Sequence, residues 1–457
     1  MKRFLFTTLF SDDLGLLTRT IPIARELSKR GHEIAFCNPA HAPSKVISQE
    51  GFTNLLPRHP LFYLEMSGRL DFKGLLTVWR SGQMKKDFGS LPRFITEYVK
   101  AIPLKFPPKT PEVWNLDHFM ALCGMMNQRF VRSICEAYVE LIVKYQPDTI
   151  VDSWNLLAPA AAWSLKKPVI TVIQSDMHPK SKGFIWWKES KDKIPTPVPT
   201  LNKVFQEIGF RFISRTEELV VGDLTLVVGL PETDPLPEDT KVEYVGPILW
   251  QSANPELPGW WDDLSRERPL IWLYCGNPSY GPITSWADSD LVLDICVKAL
   301  AEEDIQVVLT TGHHHLPKRF STLPSNFRYV PFVPGLAMAE RSNLLIHHGG
   351  YGSCQTGLFT GTPALIIPTY SERESNARRV AALGAGDFIV PDRENREKNM
   401  DLIVNEVRTK VRRILSEPSF TDNAKRISNR MHTYGGATYA ADLIEKFLER
   451  HGSKLEG

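Results

Sequence analysis

Leu344-Leu345-Ile346-His347-His348-Gly349-Gly350-Tyr351-Gly352-Ser353 is the stretch whose reading decides the fold. An apolar run of strand length ends in closely spaced glycines, and a helical stretch opens directly behind them. A buried strand that turns into a helix in this way presents unpaired backbone N–H groups and the positive end of a helix dipole at one point. Glycines at 349, 350 and 352 let a ligand approach that backbone closely. The spot suits a phosphate, and more particularly a diphosphate.

Working outward, Gly361-Thr362-Pro363 leads into the strand-like Ala364-Leu365-Ile366-Ile367-Pro368. Glu372-Arg373-Glu374-Ser375-Asn376-Ala377 then opens a helix predicted to close at Gly384-Ala385-Gly386. Leu270-Ile271-Trp272-Leu273-Tyr274 and Val307-Val308-Leu309 are further strands of the same set. The other end of the chain repeats the pattern. Phe4-Leu5-Phe6 is followed by a helix with Ile21, Ala24 and Leu27 on one face, a stop at Gly31 and the strand Ile34-Ala35-Phe36. A second unit there runs from Thr149-Ile150-Val151 through the Ala-rich 158–163 to Val169-Ile170-Thr171-Val172-Ile173. Strands alternating with helices at this spacing predict parallel sheets covered by helices.

The ordered series Phe332-Val333-Pro334, His348-Gly349-Gly350-Tyr351-Gly352-Ser353, Gly361-Thr362-Pro363 and Glu372 to Asn376-Ala377 resembles the donor-binding signature of the family 1 glycosyltransferases, or UDP-glycosyltransferases. The resemblance is close over 332–386, loose over the rest, and similar to that of bacterial natural-product enzymes. It implies an α/β chain of GT-B architecture, with two Rossmann-like doubly wound domains facing across a cleft. The expected division is an acceptor-binding domain over 1–245, a linker rich in Pro, Trp, Asp and Glu over 246–268, and a nucleotide-sugar-binding domain over 269–435. The last helix, 436–457, would cross back onto the first domain.

Composition sets limits. At 457 residues the chain exceeds the size at which one core stops growing, so two domains are expected. A net charge of +2 and the lack of a long Lys/Arg run give no case for nucleic acid. Six scattered cysteines without a C-x-x-C pair argue against a disulfide framework or zinc site and fit a reducing, cytoplasmic setting. The start of the chain reads as a strand rather than a signal peptide, and no apolar run reaches transmembrane length. Ile102 to Lys109 reads as an extended loop that could touch a membrane surface from the side. The protein is expected to act as a monomer or homodimer.

The resemblance implies a role for each matching residue. Phe332 would stack on the nucleobase, and the backbone of Val333 would read its edge. His348, Gly349, Gly350, Gly352 and Ser353 would hold the diphosphate of a UDP- or TDP-linked co-substrate, and Gly276, after the strand 270–274, would also contact the donor. Fixed donors aimed at the departing diphosphate make a metal unnecessary, and 313–315, three histidines in a row, read as solvated loop residues. Glu372 would accept hydrogen bonds from the sugar. Arg373 stands where many relatives carry Gln. It is open to two readings: a partner for a sugar carboxylate, a charge-assisted contact of about 1.5–3 kcal/mol, or a structural pair with Glu374 or Glu372. Thr356 replaces a ribose-binding Glu, so UDP and TDP donors both stay open.

Family members carry a Gly-His before the first helix, and that histidine takes the acceptor's proton. Here the pair is Gly15-Leu16, and leucine accepts no proton. Asp12 or Asp13 in the same loop could serve instead if its pKa is raised; otherwise the acceptor needs little help, or the chain binds a nucleotide sugar without transferring it. Asp152 and His118 are further candidates for the base, Asp152 alternatively as a helix N-cap. Trp114, Trp154, Phe119, Met120, Met125, Met126, Trp186 and Trp187 could line an apolar acceptor pocket within or behind the irregular stretch 60–120. The reading that emerges is inverting transfer of a hexose from a nucleoside diphosphate to an apolar small molecule. A non-catalytic accessory protein and a sugar-nucleotide epimerase are the alternatives.

Overall fold

The apolar runs become the middles of two parallel sheets, as near-continuous hydrophobic strands buried on both faces should. The computed structural model describes residues 1–9, 14–60, 86, 88–101, 112–251, 256–280 and 287–453. β1 (Arg3–Thr8), β2 (Glu33–Cys37), β3 (Thr53–Asn54), β4 (Thr149–Ser153), β5 (Val169–Ile173), β6 (Leu224–Val227) and β7 (Glu243–Tyr244) form one sheet in the order β3-β2-β1-β4-β5-β6-β7. β8 (Leu270–Tyr274), β9 (Gln306–Thr310), β10 (Phe327–Tyr329), β11 (Leu344–His347), β12 (Ala364–Ile366) and β13 (Gly386–Phe388) form the other, in the order β10-β9-β8-β11-β12-β13. Every pairing is parallel among the described strands. The expectation of two doubly wound α/β domains therefore holds.

In each sheet the strand order reverses between the first and fourth strands, β1 beside β4 and β8 beside β11. Loops leaving the carboxyl ends of such a strand pair diverge and open a crevice. Register places Thr7 opposite Asp152 in the first sheet and Tyr274 opposite His347 in the second. The candidate residues thus fall at the two crevices because of topology.

Some local readings change. The helix Ser371–Ala382 ends with Gly384 at φ +69°, but Gly386 is the first residue of β13 rather than part of the stop. A Cβ on Gly386 would lie 2.2 Å from the Ala364 carbonyl oxygen, so the glycine serves close strand approach. The segment between the sheets is fastened at both ends: Val245 and Ile248 pack in the first core, and Trp260, Trp261 and Leu264 pack against Leu270 and Val308 in the second. Of the irregular stretch, 112–120 and 88–101 are described and partly helical, as Leu91–Ala101 and Leu116–Met120. Ile102 to Lys109 lies outside the described residues.

The helix Gly436–Ser453 sets Ala440, Ala441, Ile444 and Leu448 among Phe4, Phe6, Ile21 and Leu27 of the first domain. Glu445 meets Arg30 at 2.6 Å and His32 at 2.8 Å on the same seam. Among the described residues no helix is long and apolar enough to cross a membrane.

Candidate active site

The cradle read from sequence has a definite shape. β11 ends at His347, and the helix Tyr351–Thr360 begins behind Gly350 as its N-cap residue. Gly349 has φ +89°, and a Cβ there would lie 2.7 Å from the Arg373 carbonyl oxygen and 3.1 Å from the Arg373 Cβ. At Gly350 a Cβ would lie 2.7 Å from His348 Nε2, and at Gly276 (φ +82°) 3.3 Å from His348 Nδ1. Gly276, His348, Gly349, Gly350 and Arg373 are therefore one cluster, and the glycines make room for the His348 ring and the Arg373 backbone. Around Gly352, by contrast, a Cβ would meet nothing within 4 Å. That side of the helix start, with Ser353 next to it, is open.

Electrostatics favour an anion. His348 is buried, and burial, with Arg373 beside it, holds its imidazole well below the ordinary histidine range. His347 is pushed down to about 3 for the same reasons. Both rings are neutral near pH 7, so His348 offers a hydrogen bond rather than a charge; its Nδ1 lies 3.5 Å from the Tyr274 carbonyl oxygen. The cationic charge comes from Arg373, whose buried Nη1 has no hydrogen-bond partner among the described residues. The structural pair considered for this arginine is not made. Glu374 is taken by Arg378 at 2.7 Å, and Glu372 Oε1 accepts from Gln174 Nε2 at 3.0 Å and Asn376 Nδ2 at 2.9 Å. Glu372 Oε2 has no hydrogen bond among the described residues.

Phe332 is exposed at the mouth, and its ring stacks on His313 with centroids 4.4 Å apart and planes 11° from parallel. The histidines 313–315 are exposed loop residues, as expected, and His313, at φ +70°, in addition belongs to an aromatic platform with Phe332. Val333 is buried beneath it. Platform and cradle are joined through Tyr274, whose hydroxyl lies 3.2 Å from where a Cβ on Gly312 would stand and whose ring meets His348 edge-on at 5.4 Å. Thr356 spends its hydroxyl on the Gly352 carbonyl oxygen at 2.9 Å.

Across the cleft, Asp152, the penultimate residue of β4, is fully buried, accepting from Thr7 Oγ1 at 2.5 Å and from the Asn155 backbone N–H at 3.2 Å. Burial pushes its carboxyl up to about 7. The next residues are held in an unusual backbone: Trp154 at φ +69° and Leu156 at φ +64°, conformations that bulky side chains disfavour. Trp154 stacks on Phe184 and meets Phe119 edge-on, with its buried Nε1 unpartnered. Leu16 is partly buried against this apolar cluster. His118 Nδ1 accepts from the Trp114 backbone N–H at 3.4 Å, and burial lowers its pKa. Asp12 and Asp13 lie outside the described residues.

The two halves touch directly beside Glu372. Ser371 Oγ exchanges hydrogen bonds with the Val113 backbone, Trp186 Nε1 donates to Ser375 Oγ at 3.1 Å, and the Arg378 guanidinium lies 4.3 Å from the Trp187 ring centre. Trp186 and Trp187 thus grip the helix Ser371–Ala382 instead of lining an acceptor pocket. Sequence reading also missed a buried set under the cleft. Asp234 accepts from the Ser175 N–H at 3.0 Å, Thr233 Oγ1 at 2.9 Å and the Tyr351 hydroxyl at 2.8 Å, with Arg379 Nη1 3.9 Å away. No periodicity marks Asp234, because its partners come from both domains. Among the described residues no group of three or more His, Cys, Asp and Glu side chains is placed to hold a metal.

Residues 294–445 match the erythromycin biosynthesis protein CIII-like C-terminal domain. The chain is 31% identical over 238 residues to the 4'-demethylrebeccamycin synthase of Lentzea aerocolonigenes, covering 52% of this chain and 51% of that one. It is 24% identical over 454 residues to the aclacinomycin-T 2-deoxy-L-fucose transferase of Streptomyces galilaeus, covering 94% and 93%. The matched region thus spans about half of the first relative and nearly all of the second. Among solved structures, the glycosyltransferase VinC in complex with DTDP superposes with a TM-score of 0.63 at 20% identity, covering 98% of this chain and 100% of that one.

Proposed function

We propose, from the match of residues 294–445 to the erythromycin biosynthesis protein CIII-like C-terminal domain, the similarity to bacterial natural-product glycosyltransferases and the shared GT-B fold, that the protein transfers a hexose from a UDP- or TDP-linked donor to an apolar small molecule, with inversion at the sugar carbon. The observation that carries the reading is the cradle at the β8/β11 switch point, where Gly276, Gly349 and Gly350 clear space around a neutral His348 and an unpartnered Arg373. The helix N-terminus behind Gly350 supplies free N–H groups to the diphosphate. The Phe332–His313 stack takes the base, and Glu372 Oε2 takes a sugar hydroxyl. Arg373 sits against Gly349, close enough to the cradle to pair with a donor phosphate or an acidic sugar.

Inversion follows from a single displacement: the acceptor oxygen bonds to the anomeric carbon as the diphosphate leaves from the opposite face. The base is a carboxylate of the first domain, Asp13 or Asp12 of the N-terminal sequence or Asp152 near the end of β4. A carboxyl near 7 is well matched to that task at neutral pH. Trp154 and Phe119 form the apolar wall of the acceptor site, with Trp114 and His118 behind it. Leu16 favours one second reading, a nucleotide-sugar-binding partner without turnover, since it brings an apolar side chain where a histidine base would stand.

Thermal melting with UDP, TDP, UDP-glucose, UDP-glucuronate and TDP-glucose tests the donor site. A true donor at a hundredfold its dissociation constant stabilises the fold by about 2.7 kcal/mol. A preference for the glucuronate assigns Arg373 to the sugar; equal shifts with plain diphosphates assign it to phosphate. No shift with any of them would remove the proposal. Binding without product across an apolar acceptor panel would leave the accessory reading in its place.

A further inference from the structure

Arg19 lies at the start of the helix Leu17–Lys29, at the carboxyl edge of the first sheet and on the opposite wall of the cleft from the cradle. It is only 7% exposed, and its Nε and Nη1 are buried without a hydrogen-bond partner among the described residues. Its guanidinium carbon stands 4.4 Å from the ring centre of Tyr351, the residue that follows the cradle's Gly350. A cation over a ring face gains electrostatically, but that contact satisfies none of the N–H groups. The nearby acid is already engaged: Asp234 is held by Ser175, Thr233, Tyr351 and Arg379. A buried arginine with a free fork is missing an anion, and planar bidentate donors fit phosphate oxygens.

We propose that Arg19 is a phosphate-binding residue supplied by the first domain, which closes over the donor's diphosphate from the side opposite the Gly349–Gly350 cradle. The inference rests on the sugar-transfer reading above. As the acceptor oxygen bonds to the anomeric carbon, the bond from that carbon to the β-phosphate oxygen breaks, and its electron pair stays on that oxygen. The acceptor's proton passes to the carboxylate base. Arg19 donates to the oxygens on which this charge collects, so the two domains must be together before the leaving group is fully neutralised. Water-exposed, half-open protein would then bind donor without spending it.

The test compares the full chain with Arg19→Gln and Arg19→Lys, titrating UDP, TDP, UMP and TMP and measuring transfer. Loss of the fork should lower diphosphate affinity roughly ten- to a hundredfold while monophosphate affinity changes little. Turnover should fall about a hundred- to a thousandfold, with the acceptor KM unchanged. Arg19→Lys keeps the charge and recovers part of both, and carries the test alone if Arg19→Gln does not fold. Melting temperature separates the roles: a purely structural arginine predicts a lower melting point with diphosphate binding intact, and that result would overturn the inference. If the unmutated protein binds neither UDP nor TDP, the sugar-transfer reading fails and Arg19 with it. If it binds them and Arg19→Gln binds them equally well, Arg19 alone is refuted.

Discussion

At the scale of single residues, Asp152 shows how burial sets chemistry. Its carboxyl rises from an ordinary 3.8 to about 7 because desolvation outweighs the hydrogen bonds from Thr7 and Asn155. A folded-state value above the unfolded one means that the native protein holds the extra proton between about pH 4 and 7. This stabilisation is complete below pH 4 and is lost as pH rises through 7. Denaturant melts of the parent and Asp152→Asn across pH 4–8 should therefore diverge. The parent should lose about 1.4 kcal/mol per pH unit relative to the variant inside that window, and nothing further above it. Parallel curves would show that Asp152 is ionised throughout. The position of Asp152 at a strand's carboxyl end was legible from Thr149-Ile150-Val151 alone, whereas its perturbation was not, since the burying groups arrive from β1 and from 155 onward. Arg19 is the sharper case. Nothing in a local pattern distinguishes it from a solvated helix arginine; only contact with Tyr351 of the opposite domain shows it as buried.

At the scale of elements, the longer apolar runs flanked by turns read correctly because each becomes a strand shielded on both faces. Short or edge elements were lost: β10 and β13 are three residues each, and Gly386 looks like a helix stop when it is a strand start. Local signals cannot separate those cases, because the Ala364 carbonyl that demands a glycine lies on the neighbouring strand. The helix Gly436–Ser453 illustrates how an element distant in sequence is recruited by its apolar face. Ile444 is fully buried in the first domain's core. Ile444→Ala should cost about 2–5 kcal/mol in a urea melt. The partly buried pairs of Glu445 with Arg30 and His32 lie at the rim of this seam and should contribute about 1 kcal/mol, so Glu445→Gln is the milder control. A reversed ranking would mean that charge, not packing, seats this helix.

At the scale of the whole molecule, the set around Asp234 joins the domains. Its carboxylate is fully buried between Ser175 and Thr233 on one side and Tyr351, Gln355 and Arg379 on the other. Removing one partner of such a set leaves the others desolvated and unpaired, a loss of about 3–5 kcal/mol. Asp234→Ala should lower the melting temperature and split unfolding into two calorimetric transitions, one for each domain. A single transition at the parent's temperature would show that the interface is held by the Ser371, Trp186 and Trp187 contacts instead. The same joint bears on turnover, because Gln174 from the first domain and Asn376 from the second share Glu372 Oε1.

What the chain determined by itself is local and periodic: parallel strands, the glycine cradle at 348–353, the aromatic before Pro334 and the absence of a histidine base at Leu16. These follow from backbone conformation and side-chain burial within a few residues, which adjacent sequence dictates. Only the tertiary structure decided that Arg373 stays unpaired among the described residues, that His313 joins Phe332, that Trp186 and Trp187 clasp the opposite domain and that Arg19 is buried over the Tyr351 ring. Each of those depends on which surfaces two separately wound sheets present to one another, and the distances that set charge, stacking and desolvation there are fixed by groups hundreds of residues apart.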